Sequence, residues 1–220
     1  MFKKILVAED FDSINIAVAK AFEEMSVEVV HVKYCDDGLL KIKRALADGE
    51  PFDLLISDLS FMPAHRSENL VSGEELIAAV KELQPNIKVI AYSIEDKAYR
   101  IRSLFDKQGI SGYVFKGRNS IAELKLAVNQ VYLDKSFISP ELSHKLNDKS
   151  LNDIDDYDIA LLQLLSTGIK QDAIAQKLKE ANLAPNSTSA VEKKINRLRI
   201  LFGANNATHL ISLAKDLRVI

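Results

Sequence analysis

The chain has 220 residues, a length that fits one large domain or two small ones. Hydrophobic residues make up 47% and charged residues 27%, a globular balance that excludes general disorder. Lys and Arg total 29 against 31 Asp and Glu, so any nucleic-acid site must be a local patch, and the single cysteine, Cys35, excludes a disulfide scaffold and a cysteine-based zinc site. The apolar run Ile5 to Ala8 behind Lys3 and Lys4 is too short for a signal-peptide core. No run approaches the ~18 apolar residues of a membrane span, so a cytoplasmic protein away from membranes is expected.

The first part alternates short apolar runs with helical spacing. Ile5 to Ala8 reads as a strand ending in Glu9-Asp10, and Ile14, Ala17, Ala21, Phe22 and Met25 then recur as one face of a helix. Val27 to Tyr34 is β-branched and strand-like, and Leu39 to Ala47 is helical, with Gly49 and Pro51 marking its end. Leu54 to Ile56 is a buried strand ending at Ser57-Asp58, followed by a helix over Gly73 to Leu83 that Pro85 stops. Ile87 to Tyr92 is a strand ending at Ser93, and Ala98 to Phe105 a helix closed by Gly109. Tyr113 to Phe115 is a strand ending at Lys116, and Ile121 to Tyr132 a helix.

Five strands in strict alternation with helices, each strand a near-continuous apolar run, predict a five-stranded parallel sheet covered on both faces. The expected fold is α/β, doubly wound and flavodoxin-like. Residues 135–150 are polar and read as a linker, separating a first domain at 1–134 from a second at 151–220. From Asn152 onward only helices are expected: one through Ile159, Leu162 and Leu165 to Gly168, one through Ile174, Ala175 and Leu178, one through Val191, Ile195, Leu198 and Leu201 to Gly203, and one through Leu210, Leu213 and Leu217.

In a doubly wound sheet, function gathers at the carboxyl ends of the strands. Those ends carry Glu9, Asp10, Asp58, Ser93 and Lys116. Carboxylates at adjacent strand ends repel one another unless a cation neutralises them, and an all-oxygen set with open positions suits Mg²⁺. A lysine and a serine hydroxyl beside them can stabilise charge on a phosphoryl group held by a carboxylate nucleophile. No Gly-rich phosphate loop follows Ile5 to Ala8, which removes the main support for a dinucleotide-binding reading.

This set resembles the receiver domain of two-component response regulators over about residues 2–134. The resemblance implies that Asp58 is the phospho-acceptor, that Asp10 ligates Mg²⁺ directly and Glu9 through water, and that the backbone carbonyl of Ser60 completes the protein ligands alongside Asp58. It further implies that Ser93 is the hydroxyl switch residue, Lys116 the phosphoryl-binding lysine and Tyr113 the aromatic switch. The implied partner is a sensor histidine kinase. The loop after Asp58 is longer than receivers commonly have, running through Phe61-Met62-Pro63 and Ala64 to Ser72 before Gly73, and no proline follows Lys116-Gly117. An aspartyl-phosphate hydrolase of the haloacid-dehalogenase type would need a second Asp where Ser60 stands, so the chain is expected not to be an enzyme.

Residues 137–217 resemble the linker and helix-turn-helix output domain of LuxR-type (NarL/FixJ) regulators. Gln171 to Leu178 resembles the first helix of the motif and Ser189 to Leu198 the recognition helix. Ser187 or Thr188 can cap that helix. Lys193, Lys194, Arg197 and Arg199 against Glu192 give it a surplus of +3, and Lys193, Lys194, Asn196 and Arg197 are the candidate DNA-contacting residues. The resemblance implies promoter DNA as a partner and a homodimer on activation. The long segment Lys179 to Ser187 and the carboxylate of Glu192 leave open an alternative in which the helical domain binds a protein instead of DNA.

Overall fold

The computed structural model describes residues 1–23, 25, 27–63, 67–147, 154–216 and 219–220. The chain divides into two compact units, Met1–Lys145 and Leu146–Ile220. No helix among the described residues is long and apolar enough to cross a membrane.

The first unit runs β1 (Lys4–Ala8), α1 (Asp12–Glu23), β2 (Glu28–Val32), α2 (Cys35–Ala47), β3 (Leu54–Ser57), α3 (Gly73–Leu83), β4 (Lys88–Ser93), α4 (Ala98–Gln108), β5 (Gly112–Phe115), α5 (Ser120–Tyr132), β6 (Phe137–Ile138) and most of α6 (Pro140–Asn147), whose last two residues fall past the division. The strands form one sheet of order β2-β1-β3-β4-β5-β6, every pair parallel. The chain reverses direction at β1, so the crevice beyond the β1 and β3 carboxyl ends is the topological switch point. Ile5, Leu6, Leu54, Leu55, Val89 and Ile90 are fully buried, as strands covered on both faces must be. Burying each such side chain contributes about 1.5–3 kcal/mol.

The sheet has six strands, not the expected five, and the sixth lies in what the sequence suggested was linker. Two residues are too few to show alternation. Their partner makes the strand: Phe137 and Ile138 pair with Gly112 and Tyr113, and Phe137 joins the buried core that also holds Val114 and Val131. Ser139 then fixes the exit, its amide donating to the Tyr113 carbonyl at 3.0 Å and its Oγ accepting from the Phe115 amide at 2.9 Å. α2 begins at Cys35, earlier than its apolar spacing suggested, because its first turn holds Asp36 and Asp37, which favour a helix N-terminus without showing periodicity.

The second unit holds α7 (Asp156–Ser166), α8 (Gln171–Glu180), α9 (Thr188–Phe202) and α10 (Ala207–Asp216) around Leu161, Leu162, Ile174, Leu178, Val191, Ile195, Leu198 and Leu210. Asp155 caps α7 in a capping box with Asp158, and Ser187 caps α9 through the Ala190 amide. Gly203, at φ 64°, ends α9 in the left-handed conformation that glycine adopts without strain. The long α8–α9 connection is tied down: the Leu183 amide donates to the Leu178 carbonyl at 2.9 Å, and the Tyr157 hydroxyl donates to the Pro185 carbonyl. Leu217, assigned above to the last helix face, and part of the expected linker at 148–150 lie outside the described residues.

Candidate functional site

Register brings the site together. Ala8 pairs with Val32 on one side and Ser57 on the other, and the ladder continues one residue further through Glu9 N to Val32 O at 3.0 Å and Asp58 N to Ala8 O at 2.9 Å. Lys116 N donates to Ser93 O at 2.9 Å in the same way. Glu9, Asp58 and Lys116 thus stand one step beyond β1, β3 and β5, and Ser93 ends β4, all at the carboxyl edge of the sheet.

Carboxylate oxygens of Glu9, Asp10 and Asp58 lie within 4.8 Å of one another. Glu9 and Asp58 are buried and Asp10 is half-buried. Lys116 Nζ bridges the cluster, 2.6 Å from Glu9 Oε2 and 2.5 Å from Asp58 Oδ2, and sits 5.2 Å from the Tyr92 ring centre. Burial works against the Lys116 charge, but Asp58 and Glu9 outweigh it and hold its pKa above the ordinary value. Glu9 is pushed up from the usual carboxylate value by burial, with Lys116 opposing.

Each carboxylate is also held by backbone. Asp58 Oδ1 accepts from the amides of Leu59 at 2.6 Å and Ser60 at 3.3 Å. Glu9 Oε1 accepts from Phe11 N at 3.1 Å. Asp10 Oδ2 accepts from Met62 N at 2.8 Å, while its Oδ1 is buried with no hydrogen-bond partner. A buried, orphaned carboxylate oxygen among other carboxylates fits a hard cation better than any neutral donor. Glu9, Asp10 and Asp58 can therefore hold a metal ion.

Ser93 and Tyr113 are fully buried. Ser93 Oγ has no partner in hydrogen-bond geometry, although it lies close enough to the Tyr113 hydroxyl to weigh on that group's ionisation. The Tyr113 hydroxyl donates to the Glu95 carbonyl at 2.7 Å, and its pKa is raised chiefly by burial.

Gly73 opens α3 directly against Asp58, a role that its sequence position as a helix opener does not disclose. A Cβ built there would lie 1.7 Å from the Asp58 carbonyl oxygen. The long β3–α3 loop is anchored at both ends, by Met62 N on Asp10 and by Asn69 N and Leu70 N on the Asp36 carboxylate at 2.9 and 3.0 Å. Ala64, His65 and Arg66 lie outside the described residues.

On α9, Lys193 and Asn196 are exposed together with Ser189, Glu192 and Ile200. Lys194 does not join them. Its Nζ lies 3.0 Å from Asp158 Oδ1 and 3.4 Å from Asp155 Oδ2, over the Tyr157 ring at 5.2 Å. Arg197 turns partly the same way, 3.8 Å from Asp158 Oδ2. Asp158 is completely buried at the start of α7, and burial raises its pKa against the pull of Lys194. The Asp155-x-x-Asp158 spacing is a capping-box signal in the sequence that marks this cluster.

No family model matches the chain. It is 24% identical over 186 residues to the response regulator GacA of Pseudomonas aeruginosa, covering 80% of each chain. A putative transcriptional regulator of the same species is 26% identical over 220 residues, covering 96% of this chain and 97% of the relative. A solved structure of the Salmonella typhimurium RcsB response regulator, described by its conformational dynamism for DNA interaction, superimposes with TM-score 0.67 and 20% identity over 97% of this chain and 99% of that one. At that identity the superposition speaks for the fold of both units. The strand order and the carboxylate cluster with its bridging lysine stand beside relatives that match along most of their length. The chain is similar to response regulators along most of its length and shares their fold, an α/β unit followed by a helical unit.

Proposed function

We propose that this response regulator takes a phosphoryl group on Asp58 from a sensor histidine kinase and regulates transcription by binding promoter DNA. The domains would be the receiver at 1–134, a connecting segment at 135–150 and the output domain at 151–220. The observation that carries the proposal is the convergence of Glu9, Asp10 and Asp58 within 4.8 Å with Lys116 bridging two of them. In the transfer, an Asp58 carboxylate oxygen forms the new bond to phosphorus. The bond from phosphorus to the kinase imidazole breaks, and its electron pair stays on the imidazole nitrogen.

Asp10, Asp58 and the Ser60 carbonyl, with Glu9 through water, would hold Mg²⁺, which would supply neutralisation of charge on the phosphoryl oxygens. Leu59 and Ser60 amides hold the Asp58 carboxylate in place. Lys116 exchanges part of its pairing with Asp58 for a phosphoryl oxygen, and Ser93 Oγ, unpartnered beforehand, donates to another. That movement biases the surface carrying Ser93 and Tyr113 and promotes a homodimer.

On the output side, the proposed contacts fall first to Lys193 and Asn196, which are exposed on α9. Lys194 and Arg197 share their charge with Asp158 and can reach phosphate only as secondary contacts. The protein-binding alternative has no support from the relatives. The test is fluorescence anisotropy of the full chain on promoter duplexes across a salt series, with and without a small phosphodonor and Mg²⁺. Phosphorylation should tighten binding, with a salt dependence set by the number of phosphate contacts. Binding to no duplex at low salt in either state would overturn the DNA output.

A further inference from the structure

Between the acceptor and the aromatic switch runs a set of contacts that the proposed chemistry does not use. Arg100, on the first turn of α4, is only a fifth exposed and is gripped by two carboxylates: Nη1 lies 2.9 Å from Glu95 Oε2, and Nη2 donates to Glu74 Oε1. The other Glu95 oxygen, Oε1, accepts from the amides of Asp96 and Lys97 at 3.0 Å each. Both oxygens of Glu95 are therefore committed, which fixes the backbone at that residue. The Glu95 carbonyl is the acceptor for the Tyr113 hydroxyl at 2.7 Å.

At the other end, Glu74 follows Gly73, whose backbone lies so close to the Asp58 carbonyl that no side chain fits between them. Burial opposes the Arg100 charge, and Glu74 and Glu95 together more than restore it. Isolated exposed ion pairs contribute little to stability. This one joins three elements through a rigid fork whose nitrogens reach two separate carboxylates, and its consequence is positional.

We infer that Arg100 is a positioning residue for the switch: by tying Glu95 to Glu74, it holds the Glu95 carbonyl where the Tyr113 hydroxyl finds it, and so links the end of β3 to the Tyr113 side chain. The inference rests on the receiver reading of Asp58. Arg100 touches neither the acceptor nor the carboxylate cluster, so phosphoryl uptake does not require it.

The experiment compares wild type, Arg100→Gln, Tyr113→Phe and the double variant as full-length protein. Two quantities are read: the rate of phosphoryl uptake from acetyl phosphate with Mg²⁺, and the factor by which phosphorylation strengthens dimerisation in sedimentation. In 3-fluorotyrosine-labelled protein, the Tyr113 signal, identified by its loss in Tyr113→Phe, reports the ring's position directly. Arg100→Gln should leave uptake within about twofold and cut the phosphorylation-driven gain on the order of tenfold, within the usual range of coupling between sites. The Tyr113 signal should shift or broaden before phosphorylation.

Because Arg100 acts through the Tyr113 hydroxyl, the double variant should lose no more than either single variant. Glu74→Gln, which breaks only one end of the bridge, should give a smaller loss of the same kind and serves if Arg100→Gln does not fold. Losses that multiply in the double variant, or a wild-type Tyr113 signal in Arg100→Gln, would overturn the inference. Wild-type protein that takes up no phosphoryl group would instead overturn the receiver reading on which it rests.

Discussion

Replacing Gly73 with alanine tests how tightly Asp58 is built into the fold. The new Cβ would fall 1.7 Å from the Asp58 carbonyl oxygen, 2.8 Å from its carbonyl carbon and 2.9 Å from Leu59 Cα, all backbone atoms. Real Cβ atoms essentially never come closer than 3.0 Å, so α3 and the end of β3 must separate by roughly the missing 1.3 Å (3.0 less 1.7). Neither side gives easily. The Gly73 amide donates to the Leu59 carbonyl at 3.1 Å, and Leu76, Ile77 and Val80 anchor α3 in the core with no exposed surface.

Forcing backbone apart in a packed interior costs about 1–3 kcal/mol, and the absence of any flexible side chain to absorb the overlap places this case at the upper end. At about 2–4 °C per kcal/mol for a domain near 150 residues, the first unit should melt roughly 6–12 °C lower. The displaced segment carries the Leu59 and Ser60 amides that hold the Asp58 carboxylate, so phosphoryl uptake should fall at least about tenfold, a change of 1.4 kcal/mol in the barrier. Gly38→Ala is the control, because its nearest neighbour is a flexible Leu76 side-chain atom at 3.3 Å. Calorimetry and a phosphodonor assay read both effects. A Gly73→Ala chain that melts and phosphorylates like wild type would refute the packing argument.

Three further outcomes follow from the geometry. His31 Nδ1 lies 2.9 Å from Asn15 Oδ1, its Nε2 is buried with no hydrogen-bond partner, and burial lowers its pKa from 6.5. The unfolded chain therefore binds the proton more readily, so His31's contribution is intact above pH 6.5 and is lost as pH falls through the depressed folded value. Denaturant titrations across this range should show that loss, and His31→Asn should reduce it; an unchanged pH slope would contradict the assignment. Lys193→Ala should lower the log–log salt slope of DNA binding by about 0.9 without altering thermal stability. Lys194→Ala should instead destabilise the helical domain by about 1–3 kcal/mol, since it strips the completely buried Asp158 of its closest ion-pair partner. Asp10→Asn should weaken Mg²⁺ binding, read by isothermal titration, more than Glu9→Gln does, because a direct ligand matters more than one acting through water.

Most of the first unit was legible because parallel strands buried on both faces leave unbroken apolar runs, and such runs end where polar chemistry begins. That is why Glu9, Asp10, Asp58, Ser93 and Lys116 read as one set in the sequence. β6 was not legible, since two residues carry no period and only the exposed edge of β5 makes them a strand. Gly73 reads as an ordinary helix opener until the Asp58 carbonyl is found against it. On α9, spacing separated the core stripe of Val191, Ile195 and Leu198 from the polar face. It could not show that Lys194, on the border of that stripe, turns inward to Asp158 on another helix.

Phosphoryl transfer to this protein turns on one carboxylate, that of Asp58. Intact-mass measurement of the full chain after incubation with acetyl phosphate and Mg²⁺ should show a single added phosphoryl group that is stable in acid and lost in base. The same treatment of Asp58→Asn should add none. Labelling of the Asp58→Asn chain at the wild-type level would contradict the assignment of Asp58 as the acceptor.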